Sequence, residues 1–174
     1  MTNSARLILL AVALGSALAG YGLHQWLIKS NANQAVGRDF PGFVLETPDG
    51  EAISARQFDG QPLIVNLWAT WCPPCVREIP ALVQFQADFQ DQLTVIGVAF
   101  DDADAVRDFL PRFDVNYPIA IADPFLDNLS PAIGNDRGAL PYTVAVSTDG
   151  KIVAVHAGEI TRTELDDWAQ MLGL

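Results

Sequence analysis

Residues 62 to 70, Pro-Leu-Ile-Val-Asn-Leu-Trp-Ala-Thr, form an almost unbroken apolar run with Asn66 at its centre. A strand with one face in water would alternate apolar and polar residues, so this run reads as a central strand covered on both sides. It is followed at once by Trp71 and then Cys72-Pro73-Pro74-Cys75. From Val76 to Phe89, Ile79, Leu82, Val83, Phe85 and Phe89 recur at helical spacing. Strand, stiffened turn and helix in direct succession demand a layered α/β domain. Proline in the first helical turn gives up only N–H groups that have no partner inside the helix. Pro80 lies deeper in the helix and predicts a kink.

The remaining pattern extends the sheet. Phe43 to Ser54 holds two short β-prone runs around Pro48-Asp49-Gly50, a hairpin signal. Residues 93 to 100 read as a second buried strand. Residues 102 to 113 read as a helix with Asp102 as its N-cap, 117 to 122 as a short strand and 125 to 134 as a helical turn. Two further strands flank Asp149-Gly150, and a closing helix starts at Thr161, with Glu164 at capping-box spacing. The sum is a mixed central sheet with helices on both faces.

Ahead of this domain, Leu7 to Ile28 contains no charged residue and is long enough to cross a bilayer as a helix. Tyr21 and Trp26 would suit the interfacial belt. Two readings stay open, an uncleaved signal-anchor and a signal peptide cleaved near Ala17-Leu18-Ala19. Arg6 on one side and Lys29 and Arg38 on the other leave the orientation balanced. Organisation is therefore expected as an anchor at 1–29, a small polar linker at 30–37 and one domain at 38–174. The chain carries a net charge of −11, with 21 acidic against 10 basic residues. Such a balance excludes a phosphate-neutralising nucleic-acid binder.

Both cysteines lie in the turn. Cys72 at a helix N-terminus meets free backbone N–H groups and the positive end of the helix dipole, which favour thiolate over thiol. That makes Cys72 the attacking sulfur, with Cys75 placed to resolve a mixed disulfide. A structural staple is the first alternative, but closing so short a loop contributes only about 2 kcal/mol. Zinc is the second; a closed site needs four ligands, and only Cys72, Cys75, His24 and His156 are on offer. Redox chemistry without a metal or separate cofactor is the better reading.

The segment Asn66–Pro80 resembles the active site of the thioredoxin superfamily, in particular its membrane-tethered TlpA/ResA-like (redoxin) branch, which includes reductants of bacterial cytochrome c maturation. The Trp-Cys-Pro-Pro-Cys core matches, as does Pro80 beyond it. Ala139–Val153 is similar to the second signature, a cis-proline followed by strand, Asp-Gly turn and strand. Phe40–Ser54 is similar to the branch's extra N-terminal hairpin, and residues 114–135 to its central insertion. The resemblance implies a thioredoxin-like fold in which Pro141 is cis and packs beside Cys72, shaping a peptide groove flanked by Trp71, with Trp68 either flanking it or in the core. Thioredoxin carries a buried aspartate six residues before its first cysteine; here Asn66 stands in its place and cannot act as a base. Glu78, one helical turn after Cys75, and Glu46 in the hairpin are the candidate proton acceptors, the alternative for each being a solvated surface carboxylate.

A reductant of protein disulfides is therefore expected. It would be held at a bacterial inner membrane with its domain facing the periplasm, or be soluble in the periplasm if the leader is cleaved. Apocytochrome c is the natural client of the branch, and a transmembrane thiol-transfer protein the source of electrons. A disulfide oxidant or isomerase uses the same two steps in reverse. A peroxidase is less well supported, because Ala69 stands where the peroxidatic signature places threonine. A tethered thiol metal-binding module is the non-enzymatic alternative.

Overall fold

The computed structural model describes residues 10, 12–22, 34–123 and 128–174. Residues 10 and 12–22 are helical with exposed side chains, and residues 7–9, 11 and 23–28 lie outside the described residues. Among the described residues no helix is long and apolar enough to cross a membrane.

The domain is built on a seven-stranded mixed sheet in the order β2-β1-β5-β4-β3-β6-β7. In chain order these are β1 (Val44–Glu46), β2 (Ala52–Ser54), β3 (Leu63–Trp68), β4 (Thr94–Ala99), β5 (Ile119–Ile121), β6 (Tyr142–Val146) and β7 (Ile152–Ala157). Helix α1 (Pro73–Phe89) joins β3 to β4, and α2 (Ala103–Phe109) joins β4 to β5. A short α3 (Leu129–Ala132) precedes β6, and α4 (Arg162–Leu172) follows β7.

Strands β3, β4 and β5 run parallel and step across the sheet in one direction. Right-handed crossovers then put α1 and α2 on the same face. Helix α4 joins them there, packing Leu165, Trp168 and Ala169 into one core with Ile79, Leu82 and Phe85 of α1. The opposite face is covered by lighter pieces: Leu129 and Ile133 around α3, Phe40 and Phe43, and the 3-10 turn Ala55–Phe58. Among the described residues the helical layers are thus unequal, with three helices on one face and α3, a 3-10 turn and loops on the other. The hairpin β1–β2 pairs antiparallel to β5 and extends the sheet there, with Thr47 and Glu51 closing its turn. The packed domain takes in Ala35, fully buried against the second face and three residues ahead of the expected boundary. Residues 114–135, the expected insertion, contain β5 and α3.

Trp68 shows why Gly97 is a glycine. The two are on adjacent strands, and a Cβ on Gly97 would stand 2.7 Å from Ile119 Cδ1 and 3.1 Å from Trp68 Nε1. Without it the indole lies over β4 and reaches Phe109 of α2, ring centres 5.7 Å apart.

Candidate active site

Strand β3 ends at Trp68, and the chain turns through Ala69 and Thr70, whose backbone N–H and hydroxyl both donate to Asp101 Oδ2. Cys72 is the N-cap of α1 in extended backbone conformation, and the Cys75 amide donates to its sulfur at 3.4 Å. The two cysteines form a disulfide with Cα atoms 5.3 Å apart. Pro73 and Pro74 occupy the first turn, where no intrahelical donor is lost. Cys72 keeps 5% of its surface exposed and Cys75 none. Only the first sulfur lies within reach of a partner outside the fold.

Below the disulfide the helix presents one continuous buried stripe: Cys75, Glu78, Ile79, Leu82, Phe85 and Gln86. Glu78 is 1% exposed, so it is not the solvated surface carboxylate of the alternative reading. Its Oε1 accepts from Asn66 Nδ2 at 2.7 Å, and its Oε2 from the Ile160 backbone N–H at 2.8 Å. The other Asn66 N–H donates to Thr143 Oγ1 at 3.0 Å. Burial pushes the Glu78 carboxyl up to about 7, against the pull of the donors from Ile160 and Asn66 and with a push from the nearby Glu159 charge. The buried carboxyl lies one helical turn from the buried Cys75, on the same stripe of the helix. The buried Tyr117 phenol also feels the Glu78 charge, and burial together with that charge holds it above the usual range.

The rest of the site converges on the same end of the sheet. Register pairs Leu67 with Tyr142, which sets Pro141 opposite Trp68 where β3 runs into the cysteine turn. The Leu140–Pro141 peptide bond is cis. The Pro141 carbonyl accepts from Gly158 N–H, and two residues further on the same loop supplies the Ile160 donor. Between them, Glu159 is ion-paired to Arg77 on α1 at 2.6 Å. One short loop therefore ties the cis-proline, the cysteine helix and the buried glutamate together. The two tryptophans separate: Trp68 is in the core and Trp71 is 67% exposed. Trp71, Phe100, Pro131 and Leu140 line a hollow of 270 Å³. Glu46 is exposed on β1 in register with Ile121, three strand spacings, about 14 Å, from β3. Among the described residues no group of three or more His, Cys, Asp or Glu could hold a metal.

The profile of the Redoxin family matches residues 35–172. The chain belongs to that family. Within it, the chain is 28% identical to a thiol-disulfide oxidoreductase ResA of Bacillus cereus, over 96% of this chain and 94% of that one. It is 32% identical to the thioredoxin-like protein YneN of Bacillus subtilis, over 91% and 92%. Among solved structures, a secreted thiol-disulfide isomerase from Corynebacterium glutamicum superposes with a TM-score of 0.69 at 26% identity, covering 76% of this chain and 84% of that one. The fold is thioredoxin-like, and this Redoxin-family chain is a thiol-disulfide oxidoreductase acting on protein disulfides.

Sequence reasoning missed Thr143, Ile160 and the task of Asn66. A signal for Glu78 was present: it stands three residues after Cys75 and four before Leu82, on the apolar stripe itself. Nothing local marked Thr143, whose meeting with Asn66 depends on the register of β3 with β6.

Proposed function

We propose that the chain is an extracytoplasmic, membrane-tethered reductant of protein disulfides. In the reduced enzyme the Cys72 thiolate attacks one sulfur of a client disulfide. A mixed disulfide forms and the first client thiolate leaves. Cys75 passes its proton to the Glu78 carboxylate and attacks the Cys72 sulfur, expelling the second client thiolate. The client gains two electrons and the enzyme is left with the Cys72–Cys75 disulfide. Pro141 and Trp71 frame the groove in which the client backbone lies. No cofactor beyond the cysteine pair enters the cycle. A transmembrane thiol-transfer protein returns the electrons, and apocytochrome c, whose cysteines must be reduced, is the client class favoured by the branch the sequence resembles.

The observation that carries this reading is the stacking of an edge cysteine, a buried cysteine and a buried carboxyl along one helix stripe. The uncharged segment Leu7–Ile28 supports tethering at the bacterial inner membrane, and the secreted relative from Corynebacterium glutamicum supports placing the domain outside the cytoplasm. Direction is tested by redox titration of the full chain against glutathione or dithiothreitol, following the fluorescence of Trp71. A reductant gives a potential at or below about −270 mV, whereas a value near about −120 mV would mark a disulfide donor and overturn the assignment.

A further inference from the structure

Asn66 is the one polar residue of the otherwise apolar strand β3, 2% exposed. Its amide nitrogen gives one hydrogen to Glu78 and the other to Thr143, the residue opposite it on β6. An amide held at both hydrogens cannot turn away from the carboxylate. Position 66 therefore has narrow chemical requirements. An apolar side chain would leave Glu78 Oε1 without a donor in the core, where an unpaired charge is costly. An aspartate would bring a second carboxylate to hydrogen-bonding distance, and two such groups cannot both ionise. Only a neutral donor lets Glu78 lose and regain a proton alone.

We propose that Asn66 is a positioning residue for Glu78: a neutral donor, anchored by Thr143 on the neighbouring strand, that keeps the buried carboxyl aimed along the helix stripe and able to ionise inside the core. The proposal rests on the reading of Glu78 as proton acceptor only for its consequence in catalysis. The link between Asn66 and Glu78 stands on geometry alone. Other groups facing Glu78 are Cys75 on its own helix, the Tyr117 phenol ahead of β5, and Glu159 with its partner Arg77. His156 lies in the same row of the sheet beyond Thr143, engaged with the Glu159 carbonyl and the Glu164 carboxylate. Substitution at 66 leaves all of these in place, so a change in Glu78 reports the amide.

The test is a pH titration of the full-length oxidised protein by difference infrared spectroscopy. The Glu78 carboxylic-acid band is assigned as the one missing from Glu78→Gln. Asn66→Ala should raise its midpoint by about one pH unit, the loss of one charge-assisted donor. Asn66→Asp, which keeps the side chain's shape if the alanine variant folds poorly, should replace the single titration by two separated steps. Thr143→Val, which frees the amide without deleting it, should raise the midpoint by less than Asn66→Ala. A single, unmoved titration in Asn66→Asp would overturn the proposal. A band that shifts with Asn66, in a protein whose client reduction is indifferent to Glu78→Gln, would uphold it while removing Glu78 from the proton transfer.

Discussion

Along β3, Ile64, Asn66 and Trp68 point to the face covered by α1, α2 and α4, while Leu63, Val65 and Leu67 point to the other. On that second face the buried strand residues are apolar from β4 to β7, save for the Tyr142 hydroxyl, which donates to the Ile133 carbonyl. The helical face instead carries a polar row, Asn66 and Thr143, reaching up to Glu78. Both faces are closed to water, yet one only packs and the other titrates. The difference shows what a core must supply to hold a proton-transfer group. Along this row each Asn66 donor meets a defined acceptor, and the helices above shield it, because an unpaired polar group in the core is costly.

The comparison breaks most visibly on the apolar face. Leu67→Ala, at a fully buried site, should cost about 2–5 kcal/mol of unfolding free energy in denaturant titration, with no new pH dependence. On the helical face the effect should depend on pH. Glu78 binds its proton more tightly folded than unfolded, so between about 4.5 and about 7 the folded state holds a proton that the unfolded chain has released. Stability therefore falls as pH rises through that window, by on the order of 3 kcal/mol. Glu78→Gln should remove that slope, seen as unfolding midpoints that converge with wild type at low pH and exceed it above neutrality. A smaller and sharper contrast comes from Val144→Thr, isosteric and next in sequence to Thr143 but on the other face. With no partner for its hydroxyl it should cost about 1–3 kcal/mol.

How far the sequence foretells this follows from which contacts are local. The strand–turn–helix of Leu63–Phe89 was legible because apolar run, turn and helical stripe adjoin in the chain. The hairpin around Asp49-Gly50 and the capping box of Thr161 and Glu164 were legible for the same reason, and the box is formed as its spacing predicts. Trp68 and Trp71 could not be told apart, because period-2 alternation ends with the strand between them. Glu78 was a candidate proton acceptor with a surface carboxylate as the alternative, and its burial could not be read because its charge masked its place on the stripe. Its partners come from β3, β6 and the loop before α4, elements far apart in the chain that meet only once the order of the strands is set. The unequal helical layers were hidden for the same reason.

The central claim is that Glu78 takes the proton from Cys75. It is tested most directly by trapping a client peptide on Cys72 and timing its release as a function of pH. If the account holds, the wild-type rate rises with a midpoint near about 7, and Glu78→Gln is slower by at least about 100-fold above it. Superimposable profiles for the two proteins would contradict it.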